Sequence, residues 1–225
     1  CRKGWVRVVY EDQGPDFVMH EGDCVLQPPL IRHRVLESSA GLEVVELSAP
    51  ASHKTLGDLA MSLPNTTKGN PDRVYGLGQR FARHDAKKQQ WAPMEEGGPF
   101  EHQTIRISDA TSGLASACVI RCRGTTLAGQ QQPARFTRKH KDDVTFIFVL
   151  EGKATTILGD DRNRIELSEG NSILCPLGSP YSMEEGSFKL LQVTLPGDLN
   201  AFANVMTADD AKVREAHAEV REAHE

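Results

Sequence analysis

The sequence predicts an all-β fold, and three observations favour it. Short segments rich in Val, Leu, Phe and Tyr are separated by turn signals such as Asp12-Gln13-Gly14-Pro15. The arrangement recurs later in the chain, and only two stretches have the composition of helices. Many short strands at even spacing are typical of a β-sandwich or barrel. In the first fifty residues the predicted strands cover 5–10, 16–20, 23–27 and 42–48.

An internal repeat supports this prediction. Adding 148 to the residue number aligns 4–47 with 152–195 without a gap, and eleven of the 44 aligned positions are identical. Unrelated sequences of this composition would share roughly three. The identities include turn residues and apolar residues, among them Gly4, Gly22 and Pro28. The repeat therefore predicts two copies of one β-domain.

The repeat and the composition between its copies define four segments. We predict an N-terminal barrel over 1–50, which starts partway through its own pattern, and a C-terminal barrel over 101–197. Residues 51–100 are rich in Gly, Asn and Pro, and we expect an ordered connection with a short helix at 54–62. Residues 198–225 contain Val-Arg-Glu-Ala-His twice at heptad spacing and are expected to form a helix.

One stretch carries the clearest motif. Gly22, Pro28 and His33 follow the spacing glycine, five residues, proline, four residues, histidine. This spacing resembles the second motif of the cupin superfamily, in which the histidine is the fourth ligand of a divalent metal inside a small β-barrel. Leu30 replaces the second glycine of that motif, and Glu37 stands where an asparagine is common.

The resemblance implies two cupin barrels, that is double-stranded β-helices or jelly rolls, with a few short helices and a C-terminal helix. In cupins the other metal ligands, two histidines and a glutamate, come from a first motif that ends in glycine. Gly4 holds that glycine position, so the resemblance places those ligands upstream of Cys1. If they exist, His33 is a ligand of Fe, Mn, Ni, Cu or Zn; otherwise it is a histidine at the barrel mouth.

In the second copy the corresponding positions hold Arg138, His140, Thr145 and Tyr181. A single imidazole does not hold a divalent metal, so we expect no metal in the C-terminal barrel. Two interpretations remain for these side chains. They form a polar pocket for an anion or small ligand, with Arg138 replacing the lost cation, or they are satisfied polar groups in a filled barrel.

Several residues near His33 in the sequence are candidates for lining a substrate pocket. Either neighbouring arginine would bind a substrate carboxylate, although arginines beside a barrel-mouth loop are also common at surfaces. Cys24 and Gln27 have opposite parity, so both cannot face the pocket from one regular strand. The candidates are Arg32, Arg34, Glu37, Tyr10 and Gln27.

Composition restricts the partners. The net charge of -5 argues against a nucleic-acid-binding protein, which normally presents a basic excess. The sequence has no apolar run of the length that crosses a membrane. Five cysteines without close pairs favour a reduced, cytoplasmic protein. We therefore expect a small-molecule ligand or substrate, no nucleic acid, no membrane, and pairing of two copies as one form of assembly.

The function that the resemblance implies is metal-dependent chemistry on a small molecule. Segments such as Trp5-Val6-Arg7-Val8 and Gly78-Gln79-Arg80-Phe81 resemble bacterial two-domain cupins, or bicupins, of uncharacterised reaction. The leading hypothesis is a non-haem, Fe-type oxygenase in the N-terminal barrel beside a metal-free C-terminal barrel. The alternatives are a non-catalytic bicupin that binds or senses a small ligand, and a metal-dependent isomerase, lyase or decarboxylase.

Overall fold

The computed structural model describes residues 1–49, 68–96, 98–123, 134–139, 143–159, 163–184 and 186–196. The chain forms two compact units, and the boundary between them lies at Arg83 and His84. The residues of the predicted connection are divided between the units, because residues 68–83 belong to the first and 84–100 to the second.

The first unit contains a three-stranded antiparallel sheet and a two-stranded sheet. The larger sheet has the order β2-β1-β4, and the smaller one pairs β3 with β5. The strands are β1 (Trp5–Tyr10), β2 (Phe17–His20), β3 (Cys24–Leu26), β4 (His33–Ser38) and β5 (Ala82–His84).

Alternation along β1 creates the core of the first unit. Val6, Val8 and Tyr10 point to one face of the sheet and are buried together with Met19 and Ile31. Successive side chains of a strand point to opposite faces, so this face is the interior of the unit. The hairpin β1–β2 pairs Val6 with Met19, which places two core residues side by side.

The second unit contains two sheets that share one long strand. That strand, β10, bends near Gly152, where φ is 76° and the register shifts between Val149 and Glu151. Before the bend β10 pairs with β12 and β14, and after it β10 pairs with β11 and β13. The strands are β6 (Ala92–Pro93), β7 (Phe100–Ile105), β8 (Ser116–Arg123), β9 (Arg135–Arg138), β10 (Asp143–Leu158), β11 (Arg164–Ser168), β12 (Ser172–Cys175), β13 (Tyr181–Glu184) and β14 (Ser187–Pro196).

The core of this unit lies between the inner faces of the sheets. There Phe100 packs near both Phe136 and Phe188, and the Phe100 and Phe136 rings meet edge to face at 5.0 Å between centroids. The strand order is β6-β7-β8-β14-β10-β13-β9, and this antiparallel arrangement curls around the core as in a jelly roll. One short helix, α1 (Ile107–Ala110), joins β7 to β8.

The backbone reproduces the repeat of 148 residues. Trp5 pairs with His20 in the first unit, and Lys153 pairs with Ser168 in the second. Every pair between β1 and β2 has its counterpart between β10 and β11 at this shift. Three consecutive pairs between β1 and β4 likewise match the three pairs between β10 and β13. The hairpins of the two units therefore have the same register.

The all-β prediction is confirmed, whereas the strand predicted at 42–48 is wrong. In that segment only Glu43 makes a β-bridge, to Lys3. The helices predicted at 54–62 and 198–225 lie outside the described residues. All five cysteines are free. Within the described ranges, no helix is both long and apolar enough to span a membrane.

Candidate functional site

Tyr10 is the centre of a polar and aromatic cluster in the first unit. Its side chain is only 2% exposed, because β1 directs it into the core. Gln27 Nε2 donates a hydrogen bond of 2.8 Å to the phenol oxygen. The His33 ring is nearly parallel to the Tyr10 ring, with centroids 5.4 Å apart and an interplanar angle of 19°. Phe81 contacts the same ring at 4.6 Å.

The phenol and the nearby thiol of this cluster are both held in their neutral forms. Burial raises the pKa of Tyr10 to about 12, and the hydrogen bond from Gln27 offsets only part of that effect. Burial likewise raises the pKa of the Cys24 thiol. A group whose charged form loses its water keeps its proton to higher pH. At neutral pH the cluster therefore offers a phenol and a thiol rather than anions.

Cys24 and Gln27 do not lie on one regular strand, so their opposite parity does not separate them. β3 stops at Leu26, and the chain turns into Pro28, so Gln27 no longer follows the alternation of the strand. Gln27 consequently reaches the Tyr10 hydroxyl, while the Cys24 thiol is close enough to affect the pKa of Tyr10. Both residues approach the same phenol.

The other sequence candidates of the first unit lie around this cluster in different environments. Arg32 forms an ion pair with the buried Glu11, at 3.0 Å between Nη2 and Oε1. Arg34 is exposed on β4, adjacent to His33, and so points to the opposite face of the sheet. Glu37 lies across from Arg7 near the far end of β4. Tyr10, Gln27 and His33 are therefore the candidates that the fold brings together.

Leu30 keeps the backbone conformation of the residue that it replaces. Its φ is 68°, and the aligned residue of the second unit, Gly178, has a φ of 71°. L-residues adopt this region at a cost of roughly 1–2 kcal/mol, which glycine does not incur. The turn before His33 thus requires a left-handed residue, even where a leucine occupies the position.

A second polar cluster lies in the core of the second unit and includes three of its sequence candidates. The Tyr181 hydroxyl donates a hydrogen bond of 2.7 Å to Gln192 Oε1, and Tyr181 is directly opposite Arg138 across β13 and β9. Thr145 is buried on β10, opposite Cys175. The fourth candidate, His140, lies outside the described residues.

The Arg138 guanidinium determines the electrostatics of this second cluster. Burial raises the pKa of Tyr181, and the positive charge of Arg138 opposes that increase. Burial also raises the pKa of Cys118, against the charge and a hydrogen bond from Arg138. The pKa of Cys175 rises to about 11 through burial. The guanidinium therefore faces neutral hydrogen-bonding groups.

Sequence reasoning missed two members of the second cluster, Gln192 and Cys118. They are opposite each other across β14 and β8, a pairing between residues far apart in the chain. A signal for Gln192 was available, because it is the one amide in the apolar run Leu190-Leu191-Gln192-Val193. A buried polar side chain in such a run needs a hydrogen-bond partner, and here that partner is Tyr181.

The metal that the resemblance implies requires more donors than the described residues bring together. Among them, no three His, Cys, Asp or Glu side chains come close enough to hold a metal ion. Near His33 the described donors include a neutral phenol, a neutral thiol and an amide, and the Glu46 carboxylate is close enough to Tyr10 to raise the pKa of the phenol. Divalent transition metals in proteins bind imidazoles, carboxylates and thiolates. The described part of the cluster therefore does not fit a metal ion by itself.

Comparison with known proteins gives similarity to solved cupins. No protein-family model and no curated protein matches the sequence. An RmlC-like cupin from Shewanella frigidimarina is 14% identical with a TM-score of 0.38, and the match covers 51% of this chain and 90% of that one. HppE in its Fe(II) form is 16% identical with a TM-score of 0.41, covering 50% of this chain and 59% of that one.

A third match is oxalate decarboxylase from Bacillus subtilis, an enzyme with Mn(II) centres. It is 14% identical with a TM-score of 0.39, and the match covers 56% of this chain and 32% of that one. Each of the three matches spans about half of the present chain. In its second motif and in the solved structures that it matches, this all-β chain resembles the cupin superfamily.

Proposed function

We propose that this chain is a bicupin that binds a small anionic molecule in its second unit. One observation carries the proposal: the Arg138 guanidinium lies beside the buried Tyr181 and the partly buried Cys118, and no carboxylate in the described part of the chain forms an ion pair with it. A cation among apolar and neutral groups gains most from an anionic partner. The ligand supplies that partner.

The surrounding residues restrict the class of ligand. Arg138 presents a planar set of N–H donors, which matches a carboxylate or phosphate in two parallel hydrogen bonds. The Tyr181 hydroxyl donates its proton to Gln192, so the groups beside Arg138 are neutral and do not compete with an anion for the guanidinium. The rest of the core is apolar, including Phe136 and Met183. A small carboxylate with an apolar part fits these groups best.

Substitution of Arg138 tests the proposal, with Arg135 as a matched control on the same strand. Arg138→Met should weaken binding of acetate, benzoate or inorganic phosphate at least tenfold, because a buried charge-assisted hydrogen bond is lost. Arg138→Lys should bind with intermediate affinity. Arg135 is three residues away on the exposed face of β9, so Arg135→Met should bind like the parent chain.

Titration calorimetry together with ligand-induced shifts in melting temperature would measure these affinities. Binding of all three probes that is unaffected by Arg138→Met would overturn the proposal, as would the absence of binding to the parent chain. A loss of binding in Arg135→Met as large as that in Arg138→Met would assign the effect to general surface charge.

A second candidate is metal-dependent chemistry in the first unit, of the Fe-type oxygenase, isomerase, lyase or decarboxylase class. The observation that favours it is the position of His33, whose ring packs on Tyr10 on the interior face of β4. A bound divalent ion would supply Lewis-acid or redox chemistry. The described residues contribute one imidazole to it, so this candidate requires ligands upstream of Cys1.

Metal analysis separates this second candidate from ligand binding alone. The protein is purified anaerobically, reconstituted with Fe(II), Mn(II) or Zn(II), and its metal content is determined by mass spectrometry. Stoichiometric metal that disappears in His33→Ala and persists in His20→Ala supports the candidate, because His20 is an exposed histidine of the same unit. Equal metal content in the parent chain and His33→Ala refutes the ligand assignment.

A further inference from the structure

Four small polar side chains form a row across the inner face of the second unit, called the polar row below. Ser116 on β8 is opposite Thr194 on β14. Thr194 is opposite Thr145 on β10, and Thr145 is opposite Cys175 on β12. Thr145 has the same strand parity as the core residue Ile147, so the polar row faces the interior. Its Ser116 end is exposed, whereas the other three residues are buried.

Thr145 is the member of the polar row whose hydroxyl the fold leaves unsatisfied. Ser116 Oγ and Thr194 Oγ1 form a hydrogen bond with each other. The Thr145 side chain is only 1% exposed, and within the described ranges its hydroxyl makes no hydrogen bond. A buried hydroxyl without a partner costs stability, and valine has the same shape without that cost. A hydrogen-bonding partner supplied by a bound molecule explains the threonine.

The polar row lies next to the groups around Arg138. Gln192 is two residues from Thr194 on β14, which is roughly 7 Å along a strand. Gln192 accepts the hydrogen bond from Tyr181. Its cross-strand neighbour Cys118 is hydrogen-bonded to Arg138. A small molecule whose carboxylate pairs with the guanidinium therefore extends toward the polar row.

We propose that the anion bound in the second unit is a short hydroxycarboxylate, and that Thr145 recognises its hydroxyl group. This inference rests on the proposed function, because Arg138 holds the carboxylate. A threonine hydroxyl both donates to and accepts from a ligand hydroxyl. A site that hydrogen-bonds a ligand hydroxyl rejects the analogue that lacks it, since the protein group is then left without a partner. Thr145 thus determines specificity, and Arg138 determines the affinity for the negative charge.

Pairs of anions that differ by one hydroxyl group test this inference. Titration calorimetry compares lactate with propionate and 3-hydroxybutyrate with butyrate, using separate enantiomers of the hydroxy acids. The parent chain should bind the hydroxylated member of at least one pair about tenfold more tightly or better. Thr145→Val should abolish that preference and leave the affinity for propionate and butyrate unchanged, because it removes the hydroxyl but keeps the shape. Thr145→Ser retains the hydroxyl and should keep the preference.

Thr156 provides a matched control on the same strand. It is also buried on the inner face of β10, but its hydroxyl donates a hydrogen bond of 3.1 Å to the Ser182 carbonyl oxygen. Thr156→Val should therefore lower the melting temperature and leave the preference for the hydroxy acid as in the parent chain. Thr145→Val should not lower the melting temperature, because no hydrogen bond within the described ranges is lost.

The outcomes separate this inference from the proposed function. A preference that survives in Thr145→Val, or a parent chain that binds both members of each pair equally, overturns the role of Thr145. An equal loss of both members in Thr145→Val also overturns it, because the residue would then act through packing. In each of these cases, weaker binding of both members by Arg138→Met still supports the anion site. A parent chain that binds none of these anions refutes the proposed function and this inference with it.

Discussion

Gly152 and Gly178 share a left-handed backbone, with φ of 76° and 71°, but differ in their surroundings. A Cβ atom on Gly152 would lie 2.0 Å from the Ser187 carbonyl oxygen, whereas one on Gly178 would meet nothing within 4 Å. We expect Gly152→Ala to lower the free energy of unfolding by about 3 kcal/mol or more, and Gly178→Ala by about 1 kcal/mol. Urea unfolding measures both changes. Equal losses would mean that the backbone at Ser187 moves aside at little cost.

The backbone conformation of single glycines was the feature best predicted from the sequence. Gly4, Gly22, Gly152 and Gly170 all have positive φ, as turns that depend on local backbone sterics require. Leu30 shows the limit of this reasoning. The sequence reveals that a glycine is replaced, but only the structure shows that the turn keeps its left-handed geometry, because the rest of the turn determines the dihedral angle.

At the scale of elements, the turn after β1 is fixed by one buried carboxylate. Glu11 Oε1 accepts hydrogen bonds of 3.0 Å from both Arg32 and Arg73, and the Arg73 guanidinium also pairs with Asp12. Burial alone would raise the pKa of Glu11, but the two guanidinium groups outweigh it and the pKa is lowered. The carboxylate therefore contributes stability at neutral pH that is lost as the pH falls below about 4.5, its unperturbed pKa.

Neutralising this carboxylate tests its role against a matched surface pair. Glu11→Gln should lower the free energy of unfolding by about 2 kcal/mol at pH 7, because two guanidinium groups lose a buried partner. Asp16→Asn removes the exposed pair with Arg7 and should cost clearly less than Glu11→Gln, because solvent screens that pair. Denaturant unfolding at pH 7 and pH 3.5 measures both, and the difference between the variants should shrink at the lower pH. A persistent difference would contradict the charge-based explanation.

Strands were predicted correctly where the strand that pairs with them is adjacent in sequence. The prediction failed where pairing would require a strand that is distant in sequence. Residues 5–10 and 16–20 form a hairpin whose strands are neighbours in sequence, and both were predicted within one residue of their observed bounds. Residues 42–48 have an apolar pattern too, but a strand exists only when its backbone groups pair with another strand. In the second unit β8 and β10 provide that pairing for β14.

At the scale of the whole molecule, tyrosine and cysteine side chains with raised pKa values make the free energy of unfolding fall at alkaline pH. The pKa values of Tyr10 and Cys175 rise to about 12 and about 11, and those of Cys24, Cys118 and Tyr181 also increase. Between pH 9 and 12 the unfolded chain releases protons that the folded chain retains, so the free energy of unfolding falls as the pH rises. This stability is fully present below pH 9.

Tyr10→Phe isolates one contribution to this alkaline loss. A pKa difference of two units corresponds to about 2–3 kcal/mol when the pH exceeds both values. We expect Tyr10→Phe to lose less stability than the parent chain between pH 8 and pH 11.5, and Tyr75→Phe, a change at a more exposed phenol, to differ less from the parent. Urea unfolding under reducing conditions measures this. Parallel pH profiles for all three chains would contradict the assignment.

The candidate sites were predicted as far as the repeat reaches. His33, Tyr181 and Arg138 were found because motif spacing carries over from one copy to the other. The ion pair that engages Arg32 was not, because its partner Glu11 lies 21 residues away and meets it only in the folded sheet. Tertiary packing determines the hydrogen-bond partners. A polar residue can therefore be identified from the sequence, whereas its partner is known only from the structure.

The equal hairpin registers mean that the two halves can exchange parts in frame. Residues 5–20 and 153–168 have the same length, the same pairs and glycines of the same conformation directly before them. A crossover between the two coding segments within this region would keep every strand in step and every alternating side chain on its own face. Such an exchange would keep the strand pairing but would replace core side chains, for example Val8 by Thr156, so the core around the hairpin would have to repack.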